Sequence, residues 1–127
     1  MHACRRVLVV NDDPLVRDSL VEALDHEGVE VRAAASAEEA AGILDGGFRP
    51  DVVLLDLNLG VWGADGEGFL AWLRGTAEHD RVPVVAISAS PWRLRRVEDE
   101  VHASLEVPFS LEELERTLSE ICGEVAA

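Results

Sequence analysis

Hydrophobic and polar residues come in short alternating blocks along the chain, and these blocks predict five strands and five helices in strict alternation. Residues 52–55 and 82–87 are apolar without interruption. Such runs are too short for a helix core and too continuous for a half-exposed strand, so they predict central strands buried on both faces. Residues 5–10 predict a further strand, residues 29–35 alternate as an edge strand does, and residues 103–107 predict a short last strand.

The segments between these strands carry apolar residues at helical spacing. The first predicted helix spans residues 14–27, beginning at a proline and ending before a glycine. Capping boxes, each a serine with a glutamate three residues later, open the second helix at Ser36 and the fifth at Ser110. The other two helices are expected at residues 69–75, after one long glycine-rich loop at residues 60–68, and, weakly anchored, at residues 91–101.

Strict alternation of strands and helices is typical of an α/β fold with a parallel sheet and helices on both faces. We therefore predict a doubly wound, five-stranded parallel sheet with five helices, arranged as a three-layer sandwich. The pattern does not fix the strand order by itself, but the doubly wound order 2-1-3-4-5 places strands 1 and 3 side by side. A length of 127 residues suits one core, so residues 1–127 are expected to form a single domain.

Polar residues gather where three of the predicted strands end. These are Asn11, Asp12 and Asp13 after strand 1, Asp56 and Asn58 after strand 3, and Ser88 after strand 4. In the order 2-1-3-4-5 they converge at the carboxyl edge of the sheet, where open α/β sheets bind ligands. Several carboxylates at close range need a counter-ion, and Mg²⁺ is the natural candidate because it prefers oxygen ligands. Asp56 is placed to attack a phosphoryl group, and the Ser88 hydroxyl to contact the phosphoryl oxygens.

The composition narrows the range of partners. The formal net charge of −14 argues against nucleic acid or an anionic membrane as a direct partner, because phosphate binding depends on clustered Lys and Arg. The apolar run near the amino terminus is too short for a signal-peptide core or a membrane span, so a cytoplasmic location is expected. Cys4 and Cys122 would both lie near the amino edge of the sheet, so a disulfide between them is conceivable, but buried or idle free thiols are expected. His2, His26, His79 and His102 show no ligand spacing and are expected at the surface.

Four segments together resemble the receiver domain of bacterial two-component response regulators, over essentially the whole chain. In order they read VLVVNDDPLVR, DVVLLDLNL, VPVVAISAS and VPFSLEEL. The resemblance implies a flavodoxin-like fold, phosphorelay signal transduction and Mg²⁺ as cofactor. It also implies a role for each matching residue: Asp56 as phosphoacceptor and metal ligand, Asp12 as a carboxylate that binds Mg²⁺, Asn58 as the donor of a backbone carbonyl, Ser88 as the hydroxyl that contacts the phosphoryl group, and Ala89 as the small residue that leaves the site open.

The chain departs from the family pattern at several positions. Asn11 replaces an acidic residue, which keeps an oxygen ligand but should weaken metal binding. Val107 stands where the family has a Lys that meets the phosphoryl group, and the chain contains no Lys at all. At a distance of about 4 Å and an effective dielectric of about 20, the lost attraction is roughly 4 kcal/mol before desolvation is subtracted. Ser104 replaces an aromatic residue that moves on activation. Gly60 replaces a Pro, in a lengthened loop whose Trp62 is expected to cover the pocket or meet a partner.

Two charged clusters have simpler interpretations that stay open. Asp12 and Asp13 also fit a helix amino terminus, where carboxylates accept free N–H groups. The fourth predicted helix carries three arginines, and the fifth carries three glutamates. These side chains would either pair across a homodimer formed by the last two helices or make a solvated face with weak internal ion pairs. These residues are Arg93, Arg95, Arg96, Glu112, Glu113 and Glu115.

Three functions compete. The first is a receiver phosphorylated on Asp56 by a histidine kinase or phosphotransfer protein, which switches a surface that binds a downstream protein target. The second is a pseudo-receiver, an interaction module that works without phosphorylation, and Val107 is its main support. The third is a small phosphatase of the haloacid dehalogenase type. The sequence argues against it, because Asn58 stands where that family needs an Asp and the chain is too short for a cap domain. We expect no output domain, and no enzymatic activity beyond assistance to the domain's own phosphotransfer and dephosphorylation.

Overall fold

Five strands alternate with five helices along the chain, as the hydrophobic pattern predicts. A computed structural model describes residues 1–60 and 65–125. The strands are β1 (Arg6–Val10), β2 (Glu30–Ala34), β3 (Val52–Asp56), β4 (Val84–Ser88) and β5 (Ala103–Glu106). The helices are α1 (Pro14–His26), α2 (Ala37–Asp45), α3 (Asp65–Gly75), α4 (Pro91–Arg96) and α5 (Leu111–Cys122).

The strands form one parallel sheet in the order β2-β1-β3-β4-β5, which confirms the predicted topology. Val10 of β1 lies opposite Leu55 of β3, so the residues that follow, Asn11 and Asp56, lie side by side at the carboxyl ends of these strands. On the other side of β3, Asp56 is paired with Ile87 of β4. The register therefore brings three strand ends that carry polar residues to one edge of the sheet.

Two apolar clusters, one on each face of the sheet, make the three-layer sandwich. Residues of α1 and α5, among them Leu24 and Leu118, cover one face. Residues of α2, α3 and α4, among them Leu44 and Leu70, cover the other. The uninterrupted apolar runs of β3 and β4 are buried at nearly every position because helices lie on both sides of them.

Two helices differ from the prediction. α3 begins at Asp65, so residues 60–68 are not one long loop. Glycine disfavours helices, but at Gly66 a Cβ atom would lie only 2.6 Å from the Leu57 Cα, so this turn of α3 approaches the backbone after β3 as only glycine allows. The predicted fourth helix is split: α4 ends at Arg96 and a 3₁₀ turn follows at Glu98–Glu100, where the acidic residues are exposed.

The segments before β1 and after α5 pair with each other at the amino edge of the sheet. The Ala3 N–H donates to the Gly123 carbonyl at 2.8 Å, and the Val125 N–H donates to the Met1 carbonyl at 2.9 Å. This pairing brings Cys4 and Cys122 together, and they form a disulfide. The expectation of free thiols is therefore wrong, and the alternative of a bridge at this edge is the one observed, because pairing of the two terminal segments brings the cysteines together.

Two of the four histidines are buried, which corrects the prediction that all lie on the surface. His2 and His79 are each 4% exposed. The His2 Nδ1 accepts the Cys4 N–H at 3.3 Å, so the ring proton sits on Nε2, which lies 2.9 Å from a Glu27 carboxylate oxygen. The ring thus donates to Glu27 through Nε2. A histidine that binds a metal through one ring nitrogen donates a proton from the other, but here Nδ1 carries no proton, so this tautomer does not suit a metal ligand.

Within residues 1–60 and 65–125, no helix is long and apolar enough to cross a membrane.

Candidate functional site

A cavity of about 650 Å³ opens at the carboxyl edge of the sheet. It is walled by the ends of β1, β3 and β4 and by the segment that leads from β5 to α5. The predicted site residues that line it are Asn11, Asp12, Asp56, Asn58, Ser88 and Ala89. The structure therefore brings together all the residues that the sequence placed in the site.

Asp56 is a half-buried carboxylate at the end of β3. Its Oδ1 accepts the backbone N–H of Asn58 at 2.9 Å, which fixes the side chain against the turn that follows the strand. Burial raises the pKa of Asp56, and the charges of Asp12 and Asp13 raise it further, while the Asn58 hydrogen bond and the charge of Arg93 oppose the rise. Negative charge is thus concentrated around Asp56, and a bound cation would relieve it.

The three polar residues after β1 divide into two roles. Asp13 is the N-cap of α1, where its Oδ1 accepts the N–H groups of Leu15 at 2.9 Å and Val16 at 3.4 Å. The buried Asn11 supports this cap, because its side-chain oxygen accepts the Asp13 N–H at 2.9 Å. Asp12 is exposed at the cavity. The simpler helix-terminus interpretation therefore applies to Asp13, while Asp12 lies on the cavity wall.

Ser88 and Val107 line the cavity from neighbouring chain segments. Ser88 is 4% exposed, and its Oγ accepts the Ser90 N–H at 3.0 Å, which leaves the hydroxyl proton available to a ligand. The Val107 N–H donates to the Ser88 carbonyl at 3.0 Å. The residue that replaces the family's Lys thus lies directly beside Ser88 and presents an apolar side chain to the cavity.

Arg93 of α4 is a site residue that reasoning from the sequence did not identify. Its Nη1 lies 3.4 Å from the Asn58 side-chain oxygen, and its Nε lies 3.7 Å from a Glu67 carboxylate oxygen on α3. Arg96 contacts the other Glu67 oxygen at 3.1 Å. Two of the three α4 arginines are therefore paired within the chain. The sequence places Arg93 five residues after the end of β4, but it does not show how closely α4 approaches Asn58.

The loop after β3 follows a course that the family's Pro would not allow. Gly60 has a φ of 78°, whereas Pro fixes φ at about −65°, and a side chain at this position would collide with the Asp65 carboxylate. Trp62, which we expected to cover the pocket or meet a partner, lies outside the described residues. Ser104 is exposed on β5.

The donor set of the cavity fits Mg²⁺. Asp12 and Asp56 offer carboxylates, Asn58 a backbone carbonyl and Asn11 the second lone pair of its amide oxygen, and hard divalent cations prefer such oxygen donors. The neighbouring acids that raise the pKa of Asp56 supply the negative charge that a dication would neutralise.

The parallel sheet with this strand order and an acidic cavity at its carboxyl edge defines a receiver-type signalling domain. Residues 7–119 match the response regulator receiver domain family, and the chain belongs to this family. It is 35% identical over 112 residues to the response regulator MprA of Mycobacterium tuberculosis H37Rv, covering 86% of this chain and 46% of that protein. It is 31% identical over 121 residues to the KDP operon transcriptional regulatory protein KdpE of Escherichia coli K12, covering 88% and 48% of the two chains.

Solved structures agree with this assignment. The chemotaxis protein CheY4 of Vibrio cholerae is 28% identical with a TM-score of 0.80, and the match covers 94% of this chain and 99% of that one. The receiver domain of the sensor histidine kinase PA1611 of Pseudomonas aeruginosa PAO1 is also 28% identical with a TM-score of 0.80, over 96% and 100% of the two chains. That structure is described with a magnesium ion coordinated in the active site cleft.

Membership of the family establishes the general function. The chain is a receiver domain of two-component response regulators, a family that acts in phosphorelay signalling. Receiver domains bind Mg²⁺ in their active site. The chain spans about half the length of the two curated regulators named above, and the expectation of one domain without an output domain stays a prediction.

Proposed function

We propose that this domain accepts a phosphoryl group on Asp56 from a histidine kinase or phosphotransfer protein, with Mg²⁺ bound beside it, and that phosphorylation switches a surface that binds a downstream protein target. The observation that supports this most is the single cavity that Asp12, Asp56, Asn58 and Ser88 line together. A carboxylate, a set of oxygen donors for a metal and an available hydroxyl proton in one place are the groups that phosphoryl transfer to Asp56 requires.

The chemical step is a transfer between two nucleophiles. An Asp56 carboxylate oxygen forms a bond to phosphorus while the bond from phosphorus to the donor's histidine nitrogen breaks, and the electron pair leaves with the imidazole. The Asn58 N–H holds the Asp56 carboxylate in place, and the Ser88 hydroxyl donates to a phosphoryl oxygen. Ala89 leaves the entry open because its side chain is a single methyl group.

Mg²⁺ would be held by Asp12, Asp56 and the Asn58 carbonyl, with Asn11 as a weaker ligand. When bound, it supplies positive charge that shields the incoming phosphoryl group from the carboxylates. Because Asn11 carries no charge and already accepts the Asp13 N–H, we expect weaker metal binding than at a site with an acid in that position.

The proposal extends to location and assembly. We propose a cytoplasmic location and a homodimer through α4 and α5, in which the exposed Arg95 and Glu112 are available for contacts between copies. The mass in solution before and after phosphorylation tests the dimer, and an unchanged monomer would count against it.

The direct test is phosphorylation by acetyl phosphate in the presence of Mg²⁺, followed by intact-mass spectrometry. We expect the mass to rise by one phosphoryl group in the wild type and in Asp18→Ala, a control at an exposed α1 position, but not in Asp56→Ala. The absence of any adduct on the wild type, together with normal biological activity of Asp56→Ala, would instead establish the pseudo-receiver function that Val107 suggests.

A further inference from the structure

The domain has to neutralise a phosphoryl group without a lysine. The position from which the family supplies its ammonium is Val107, and all 11 basic residues of the chain are arginines. Arg17 lies near the site, but its Nη1 donates to the Asn11 backbone carbonyl at 2.9 Å and its side chain does not line the cavity. Besides Mg²⁺, the positive charge for the phosphoryl group therefore has to come from an arginine of another element.

Arg93 is the arginine whose charge acts on Asp56. Its guanidinium lies 3.4 Å from the Asn58 side-chain oxygen, and the backbone N–H of the same Asn58 holds Asp56. The side chain is only 19% exposed, so its charge is less screened than that of a surface arginine. Its positive charge opposes the rise in the Asp56 pKa, which places it within electrostatic reach of the carboxylate.

We propose that Arg93 binds the phosphoryl group carried by Asp56, and so supplies from α4 the positive charge that the family supplies from the position of Val107. This inference rests on the proposed phosphorylation of Asp56. A guanidinium suits the role because its paired N–H groups match two phosphoryl oxygens at once.

The contacts of Arg93 give the inference a consequence for signalling. In the unphosphorylated protein the guanidinium contacts Glu67 of α3 at 3.7 Å, while Arg96 contacts the same carboxylate at 3.1 Å. When Arg93 turns to the phosphoryl group, Arg96 remains on Glu67. Phosphorylation would therefore change the contact between α3 and α4. It would not act through the segment after β5, which contains Val107 at the position of the family's Lys.

The test compares two ligands by isothermal titration calorimetry, Mg²⁺ alone and beryllofluoride in saturating Mg²⁺, where beryllofluoride stands in for the phosphoryl group. Arg93→Ala is compared with Arg81→Ala, which removes the same charge from an exposed position outside the site and outside the proposed dimer contact. We expect Arg93→Ala to weaken beryllofluoride binding by about tenfold to 100-fold, the loss of one or two charge-assisted hydrogen bonds. Its Mg²⁺ affinity should stay equal or increase, because a nearby positive charge has been removed. Arg81→Ala should change neither.

Each result decides between the hypotheses. If beryllofluoride binds the wild type but Arg93→Ala and Arg81→Ala behave alike, the role of Arg93 is wrong while phosphorylation of Asp56 stands. If Arg93→Ala weakens Mg²⁺ and beryllofluoride binding together, Arg93 only shapes the site and the inference also falls. If the wild type does not bind beryllofluoride at all, the proposed function itself fails. Arg93→Gln, which removes the charge but keeps a side chain that can donate a hydrogen bond, is measured in place of Arg93→Ala should that variant not fold.

Discussion

Asp56 ties the stability of the metal-free domain to pH. Burial raises its pKa above the usual 3.8, so the folded protein holds this proton more tightly than the unfolded chain does. The stabilisation is therefore complete below the usual pKa and is lost as the pH rises through the raised value. At neutral pH the ionised carboxylate destabilises the fold.

We therefore predict that Asp56→Asn, which removes the charge, raises the free energy of unfolding at pH 7 without Mg²⁺. The difference in unfolding free energy between the variant and the wild type should shrink as the pH falls below 3.8, because Asp56 of the wild type is then protonated and as neutral as the asparagine. Urea unfolding in the presence of a chelator, at a series of pH values, measures this difference. Asp18→Asn is the control, and a variant that is less stable than wild type at neutral pH would contradict the prediction.

Gly66 gives a second prediction for a single residue. Its missing Cβ would lie 2.6 Å from the Leu57 Cα and 2.8 Å from the Asp56 carbonyl oxygen, both backbone atoms that cannot move aside cheaply. We expect Gly66→Ala to lower the free energy of unfolding by about 1–3 kcal/mol, as overpacking does. At Gly68, two residues on in α3, a Cβ would meet nothing within 4 Å. Gly68→Ala should therefore be neutral or stabilise by about 0.5–1 kcal/mol, since alanine favours a helix. Equal changes in the two variants, read from chemical unfolding, would show that the close approach at Gly66 does not decide its effect on stability.

The sequence revealed some site residues and not others for a physical reason. Asp12, Asp56 and Ser88 each follow an apolar run, and parallel strands end at one edge, so their convergence could be predicted. The roles of Arg93 and Gly66 depend on how closely α4 and α3 approach the loops after the strands. No periodicity along the chain encodes that distance.

At the scale of secondary-structure elements, Arg74 joins the end of α3 to two other segments. Its guanidinium donates to the Val82 carbonyl at 2.8 Å, to the Asp80 carbonyl at 3.2 Å, and twice to the Glu100 carbonyl at 2.9 and 2.7 Å. The arginine thus holds together the end of α3, the approach to β4 and the 3₁₀ turn after α4.

Replacement of Arg74 by leucine should be strongly destabilising, because it leaves these carbonyls without their donor. We expect a loss of about 2–4 kcal/mol in the free energy of unfolding. Arg81→Leu, at an exposed position of the same loop, should change stability by less than about 0.5 kcal/mol. Thermal unfolding of both variants checks this, and a small effect at Arg74 would mean that water replaces the guanidinium without cost.

Strands were easier to predict than α4 because of their burial. β3 and β4 lie within two residues of the predicted bounds, since a continuous apolar run between two helix layers has no other favourable environment. In α4 only Leu94 is buried, so the pattern of residues 91–101 did not indicate where the helix ends.

At the scale of the whole molecule, the strand order was predicted correctly, and free thiols were expected where Cys4 and Cys122 form a disulfide. The alternation of strands and helices indicated a doubly wound sheet, and of the doubly wound orders 2-1-3-4-5 places the strands that precede Asp12 and Asp56 side by side. The disulfide between Cys4 and Cys122 depends on pairing between two segments that show no periodic pattern. It joins positions 118 residues apart and so constrains almost the entire unfolded chain.

We predict that reduction of this disulfide lowers the free energy of unfolding by about 2–5 kcal/mol, because a long loop in the unfolded chain is released. Urea unfolding with and without dithiothreitol measures the loss. The double variant Cys4→Ser with Cys122→Ser should unfold at the midpoint of the reduced wild type and show no response to dithiothreitol. Identical midpoints for oxidised and reduced wild type would contradict a stabilising bridge.

The same bridge makes the chain between Cys4 and Cys122 a covalent ring that contains all five strands and the whole Asp56 site. A protease that cuts one peptide bond within the ring does not divide the molecule. The two pieces stay joined, migrate as one species without reductant and separate only after the disulfide is reduced. Digestion patterns of this domain therefore report its exposed loops only when the samples are reduced before they are sized.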